Sequence, residues 1–134
     1  MSQENVEVVR EGVARFVAND IDGVAELYAP DAFMVAPEGW PEGGRFDGRD
    51  AVMRQYTRLV EEWNHHSLRI DSERSDGDWV VIEVVWSTEG RASGVPVEMT
   101  VVAAYRLEDR KIAEARFFWD LDGALEAVRP MPGR

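Results

Sequence analysis

The chain has 134 residues, 45 % of them hydrophobic, with a formal charge of −11 and a pI near 4.6. That size and apolar content predict one domain over residues 1–134 with a real core, and argue against disorder. An acidic balance of this size excludes nucleic acid and anionic membrane surfaces as partners, since both call for clustered Lys and Arg. There are no cysteines, so nothing depends on disulfides. The opening Met-Ser-Gln-Glu-Asn lacks a basic and then apolar leader, and no apolar run approaches the roughly 18 residues that span a bilayer. A cytoplasmic location is expected.

Val6, Val9, Val13, Phe16 and Val17 recur at helical spacing and predict a helix over 3–18, with Ser2 as N-cap. Asn19-Asp20 breaks it, and a short second helix carries Val24, Leu27 and Tyr28 until Pro30. Residues 31–36 read as a strand, and 37–44, rich in Pro and Gly, as an ordered loop holding Trp40. A third helix follows with Asp47 as cap and a stripe of Val52, Tyr56, Leu59, Val60 and Trp63. From residue 66 the period becomes two, predicting strands at 66–74, 78–89, 95–108 and 111–119. Turns fall at 75–78, 90–94 and 108–111, and a last helix at 123–128 is capped by Asp120 or Asp122 and ended by Pro130. Helices first and then an antiparallel meander make an α+β fold: a curved antiparallel sheet, three N-terminal helices on its concave face, and a short C-terminal helix.

With Asp109-Arg110 at the hairpin tip, Leu107 lies opposite Ile112, Tyr105 opposite Glu114, Ala103 opposite Arg116, Val101 opposite Phe118 and Met99 opposite Asp120. Val80, Ile82, Val84, Trp86 and Thr88 share that face. The other face would carry Val102, Ala104, Ala113, Ala115, Phe117 and Trp119, too apolar for open water, which predicts a homodimer through Phe117 and Trp119.

The layout resembles the nuclear transport factor 2-like (NTF2-like) superfamily, in its SnoaL-like branch of polyketide cyclases and ketosteroid isomerase relatives. The segments that carry the resemblance are 19–31 (Asn-Asp-Ile-Asp-Gly-Val-Ala-Glu-Leu-Tyr-Ala-Pro-Asp), Gly48-Arg-Asp-Ala-Val52 and Lys111 to Ala127. Arg110 departs from it, standing where the family usually has Gly in a turn that often needs φ > 0.

Asp120 is the sharpest candidate. On the face assigned above it would be an inward, desolvated carboxyl with a raised pKa, and the resemblance implies an acid/base role. The alternative is a helix cap. Arg116 would orient a ligand oxygen or pair structurally with Glu114 or Asp120. Tyr28, Trp40, Tyr56, Trp63 and Trp86, with Met99 and Phe118, would line a pocket, Trp40 at its rim, or else serve as plain core. His65-His66 is a poor metal pair, because adjacent side chains diverge and no further His exists. No metal or cofactor is expected. Two functions stay open: a cofactor-independent cyclase or isomerase shifting a proton on a small, mainly apolar carbonyl compound, with Asp120 as acid/base and Arg116 and Tyr56 orienting, or a non-catalytic small-molecule-binding or dimeric association domain.

Overall fold

The computed structural model describes residues 2–40, 44–90 and 92–128. The expectations that rest on the side chains of Ser2, His65 and His66, or on Pro41–Gly43, Arg91 and Pro130, lie outside the described residues.

Helix α1 (Ser2–Val17) ends where Asn19 takes a left-handed φ of 62°, a conformation Asn tolerates better than most residues. Helix α2 (Ile21–Ala25) is capped by Asp20, whose carboxylate accepts from the Gly23 N–H at 2.9 Å. It stops short of Leu27 and Tyr28, against the sequence expectation. The Leu27 carbonyl instead accepts from the Ile112 N–H at 2.8 Å, and Tyr28 opens strand β1 (Tyr28–Val35) opposite Ile112. A sheet hydrogen bond here outcompetes one more helical turn. Strand β2 (Arg45–Asp47) was not expected. Asp47 is no cap: it accepts from Arg45 at 2.8 Å, and Gly48 occupies the N-cap of helix α3 (Arg49–Glu62) at φ 91°. Trp63 leaves that helix with extended dihedrals and begins strand β3 (Trp63–Asp76).

Strands β3, β4 (Trp79–Gly90), β5 (Pro96–Glu108) and β6 (Lys111–Phe118) form the antiparallel meander, and the six-strand order is β2-β1-β6-β5-β4-β3. The sheet is mixed, because β1 runs parallel to β6. This is the α+β architecture expected, a curved sheet not closed into a barrel. Helices α1 to α3 cover its inner face, where Val6, Val9, Val24, Val52 and Met53 meet Val80, Ile82, Val84 and Leu107. No helix among the described residues is long and apolar enough to cross a membrane.

One irregularity decides what each face carries. Leu107 pairs with Ile112 as expected, but Arg106 pairs with Glu114, so Ala113 is an extra residue in β6. Beyond that bulge every partner is displaced by one: Tyr105 faces Ala115, Ala103 faces Phe117 and Val102 faces Phe118. Because side chains alternate, Phe117 turns inward, while Glu114, Arg116 and Phe118 turn outward. The outer apolar surface is covered from within the chain. Helix α4 (Leu121–Val128) lays Ala124, Leu121, Leu125 and Val128 over Val81, Val102, Ala104, Trp79 and Phe118. Much of the apolar surplus that suggested a partner subunit is thus taken up by α4 and by the inward turn of Phe117, while Trp119 stays 44 % exposed.

Outward does not mean exposed for Glu114, which is 6 % accessible. Burial raises its pKa, but hydrogen bonds from Arg106 (2.8 Å) and Arg116 outweigh it and hold the carboxyl below its ordinary value of 4.5. A depressed folded-state pKa means that this stabilisation is complete above about pH 4.5 and is lost as pH falls through the lowered value. Glu114→Gln should therefore be less stable than the parent at neutral pH and flatten the acid limb of the stability curve. Urea titrations from neutral to strongly acidic pH check this, and parallel limbs for the two proteins would contradict it.

Candidate functional site: an aromatic cavity under the sheet

Between the inner face and helices α1 to α3 lies a cavity of about 140 Å³. This is near the volume of an engineered apolar hole that takes up benzene. Val9, Val13 and Phe16 of α1 close it on one side, Gln55, Tyr56 and Leu59 of α3 on another. Ile82, Val84, Trp86, Ala103, Tyr105 and Phe117 form its floor on the sheet. The segment after β1 adds Ala36, Pro37 and Trp40.

All three tyrosines of the chain line this space, at 3 %, 8 % and 8 % exposure for Tyr28, Tyr56 and Tyr105. The hydroxyls of Tyr28 and Tyr56 share a 2.6 Å hydrogen bond, with their rings edge to face at 6.0 Å. Burial pushes all three phenols above their usual value of 10, so they stay neutral across the physiological range. Two buried hydroxyls bonded to each other use one proton, and the second remains free to donate. Gln55 is 4 % exposed, and its carboxamide makes no hydrogen bond among the described residues. No Asp, Glu, His, Lys or Arg is among the described residues lining the cavity.

Of the candidates read from sequence, Tyr28, Trp40, Tyr56 and Trp86 come together in the cavity. Trp40 packs on Trp119 at 6.0 Å, and the Trp119 indole N–H donates to the Glu38 carbonyl at 2.7 Å, which ties the loop to the end of β6. Trp63 packs on Trp86 at 5.6 Å without lining the cavity, and Met99 pairs opposite Trp86 near the sheet's end, also outside the lining. Arg116 and Phe118 lie on the outer face, Arg116 bound to Glu114 and Phe118 under α4. Asp120 is exposed, and its carboxylate accepts from the Gly123 N–H at 2.7 Å as the cap of α4. The expected inward carboxyl is not there, because the bulge reverses the face and β6 ends at Phe118. Asp120→Ala should lower stability by about 0.5–2 kcal/mol and leave ligand affinity at the cavity unchanged. Thermal unfolding and a binding titration read the two effects separately, and a loss of affinity without a loss of stability would contradict the capping role.

Phe117, Tyr105 and Gln55 were not nominated from sequence. Tyr105 was placed on the correct face. Phe117 was hidden by the bulge, and Gln55 reads as an ordinary surface residue of an amphipathic helix until its neighbours are known.

Comparison with known families now has a geometry to meet. The SnoaL-like domain family matches residues 9–115, most of the chain and every wall of the cavity except that formed by Phe117. The chain belongs to the SnoaL-like family. Its solved structural relatives agree on the NTF2-like fold. A Burkholderia thailandensis NTF2-like protein is 24 % identical with a TM-score of 0.76, over 94 % of this chain and 98 % of that one. A Catenulispora acidiphila protein with a ketosteroid isomerase-like fold, solved in complex with trimethylamine, is 19 % identical with a TM-score of 0.75 over 90 % of each chain. An M. tuberculosis LEH-like epoxide hydrolase is 16 % identical with a TM-score of 0.74, over 95 % of this chain and 90 % of that one. No curated protein matches the chain. For a SnoaL-like protein, likeness at these identities shows the fold, and function has to be argued from the site.

Proposed function

We propose that the cavity is a binding site for one small, uncharged, mainly apolar molecule, and that the domain acts by binding it rather than by shifting a proton on it. One observation carries this reading: a cavity whose described lining offers polar side-chain atoms only from Tyr28, Tyr56, Tyr105, Gln55, Trp40 and Trp86, and no ionisable group that titrates near neutral pH. Moving a proton to or from carbon at neutral pH uses a positioned group with a pKa near the working pH, and buried phenols with raised values fill that role poorly. A charged ligand would enter without a counter-charge, at a cost of several kcal/mol, on the order of the whole affinity of a small molecule.

A cyclase or isomerase is the second reading. The Tyr28–Tyr56 pair favours it, since the spare hydroxyl proton can be donated to a developing enolate oxygen. The described lining supplies no base to complete that chemistry.

Tryptophan fluorescence tests the binding reading, because Trp40 and Trp86 line the cavity. Ethylbenzene should perturb the emission at saturation, while benzoate should bind at least about tenfold more weakly, its carboxylate being unpaired. Equal affinity for benzoate, or no saturable response to ethylbenzene, would overturn the reading.

A further inference from the structure

Gln55 is out of keeping with its surroundings. It sits between Met53 and Tyr56 on the buried side of α3, 4 % exposed, among the lining residues of an apolar cavity. A long polar side chain in a helix ordinarily turns to water, and a buried carboxamide ordinarily finds partners on both its C=O and its NH₂. This one has none among the described residues. The carboxamide is not sealed in, since the Thr88 hydroxyl alone among the described residues is fully enclosed without a partner; it keeps accessible surface where Gln55 lines the cavity, open to a ligand. The Tyr105 hydroxyl, on the opposite wall of the cavity and also on a buried residue, makes no hydrogen bond among the described residues either.

On the reading of the cavity as a binding site, we infer that Gln55 is its specificity determinant and selects neutral molecules of amide type, in which a carbonyl and an N–H lie side by side on or next to a single ring. The chemistry follows from what the wall offers. A carboxamide presents one donor and one acceptor in a plane, and its complement is the same pair reversed: a primary amide, a lactam or an imide. The free hydroxyl proton of the Tyr28–Tyr56 pair and the Tyr105 hydroxyl add donors for the same carbonyl. The aromatic remainder, with Phe16, Trp86 and Phe117, takes the ring. A ketone satisfies half of Gln55, a hydrocarbon none, and a carboxylate repels its carbonyl oxygen.

The test compares benzamide, acetophenone and ethylbenzene on the full chain and on Gln55→Leu, with dissociation constants from tryptophan fluorescence. Gln55→Leu should weaken benzamide about tenfold or more, acetophenone by less, and ethylbenzene not at all, because only the amide loses two partners. If ethylbenzene binds the parent but benzamide loses no more than ethylbenzene in Gln55→Leu, the role of Gln55 is overturned and the cavity reading stands. If none of the three binds the parent, both fall together. Gln55→Met, which keeps an unbranched chain of similar length, replaces Gln55→Leu should the branched side chain fail to pack, and the same ranking is required of it.

Discussion

Deleting Ala113 is expected to leave a folded protein, destabilised by about 0.5–3 kcal/mol. Ala113 is the extra residue of the β6 bulge, so without it the Leu107–Ile112 pair runs on directly into Arg106–Glu114. Tyr105 then stays opposite Ala115, Ala103 opposite Phe117 and Val102 opposite Phe118. No side chain after the deletion changes face. Phe117 keeps its edge-to-face contact with Tyr105 at 6.3 Å, and Glu114 stays with Arg106 and Arg116 on the outer face. What is lost is the buried Ala113 side chain and the extra local twist of the bulge. Far-UV circular dichroism and a thermal melt of the purified deletion decide it. A native spectrum with a cooperative melt a few degrees below that of the parent is expected, and an unfolded deletion would show that the fold needs the bulge itself and not only the pairing that follows it.

Removing both hydroxyls of the Tyr28–Tyr56 pair should cost less than the sum of removing each alone. Tyr28→Phe leaves the Tyr56 hydroxyl buried without its 2.6 Å partner, and Tyr56→Phe does the reverse. Each single change should destabilise by about 1–3 kcal/mol, the cost of an unsatisfied buried group. The double change to Phe removes both polar atoms from an apolar wall and should fall short of the sum by about 0.5–3 kcal/mol. Chemical denaturation of the four proteins gives the coupling directly. Strict additivity would mean that the two hydroxyls are satisfied independently. The same burial sets the alkaline limit. With folded-state values raised above 10, the neutral phenols contribute stability that is complete below pH 10 and is lost as pH rises through the raised values. The double variant should resist alkaline pH better than the parent.

The helices and the meander were legible because each rests on a periodicity that packing then used. Val6, Val9 and Phe16 in α1, and Val52 and Tyr56 in α3, recur every three or four residues and all turn to the sheet. Val80, Ile82 and Val84 alternate and share the inner face. Tyr56 and Trp86, two of the aromatic cavity residues, followed from the same patterns, while Trp40 was read from its Pro- and Gly-rich loop. The errors cluster where one local preference competed with a distant partner. Tyr28 fits a helix stripe, and a strand more than 80 residues later claims its backbone. Trp63 continues the stripe of α3, and pairing with Gly90 ends it. Asp120 suits a helix N-cap or the end of a strand equally well by composition, and only the direction of β6 decides between them.

The amino-acid sequence alone determined the α+β class, the helix-then-meander order, the hairpin tip at Asp109-Arg110 and the aromatic character of the interior. These depend on composition and on spacings shorter than one element. The tip even keeps its conformation without glycine, with φ of 51° and 65° at those two residues. Tertiary structure decided the parallel docking of β1 on β6, the Ala113 bulge, and hence which of Phe117 and Phe118 faces the cavity. It also decided that Asp120 caps α4 and that Gln55 lies in the lining of an apolar cavity. The physical reason is the two-residue period of a strand. A single added residue leaves the local pattern intact and reverses every side chain after it, and only contacts from both faces at once, helices α1 to α3 within and α4 without, fix where that residue goes.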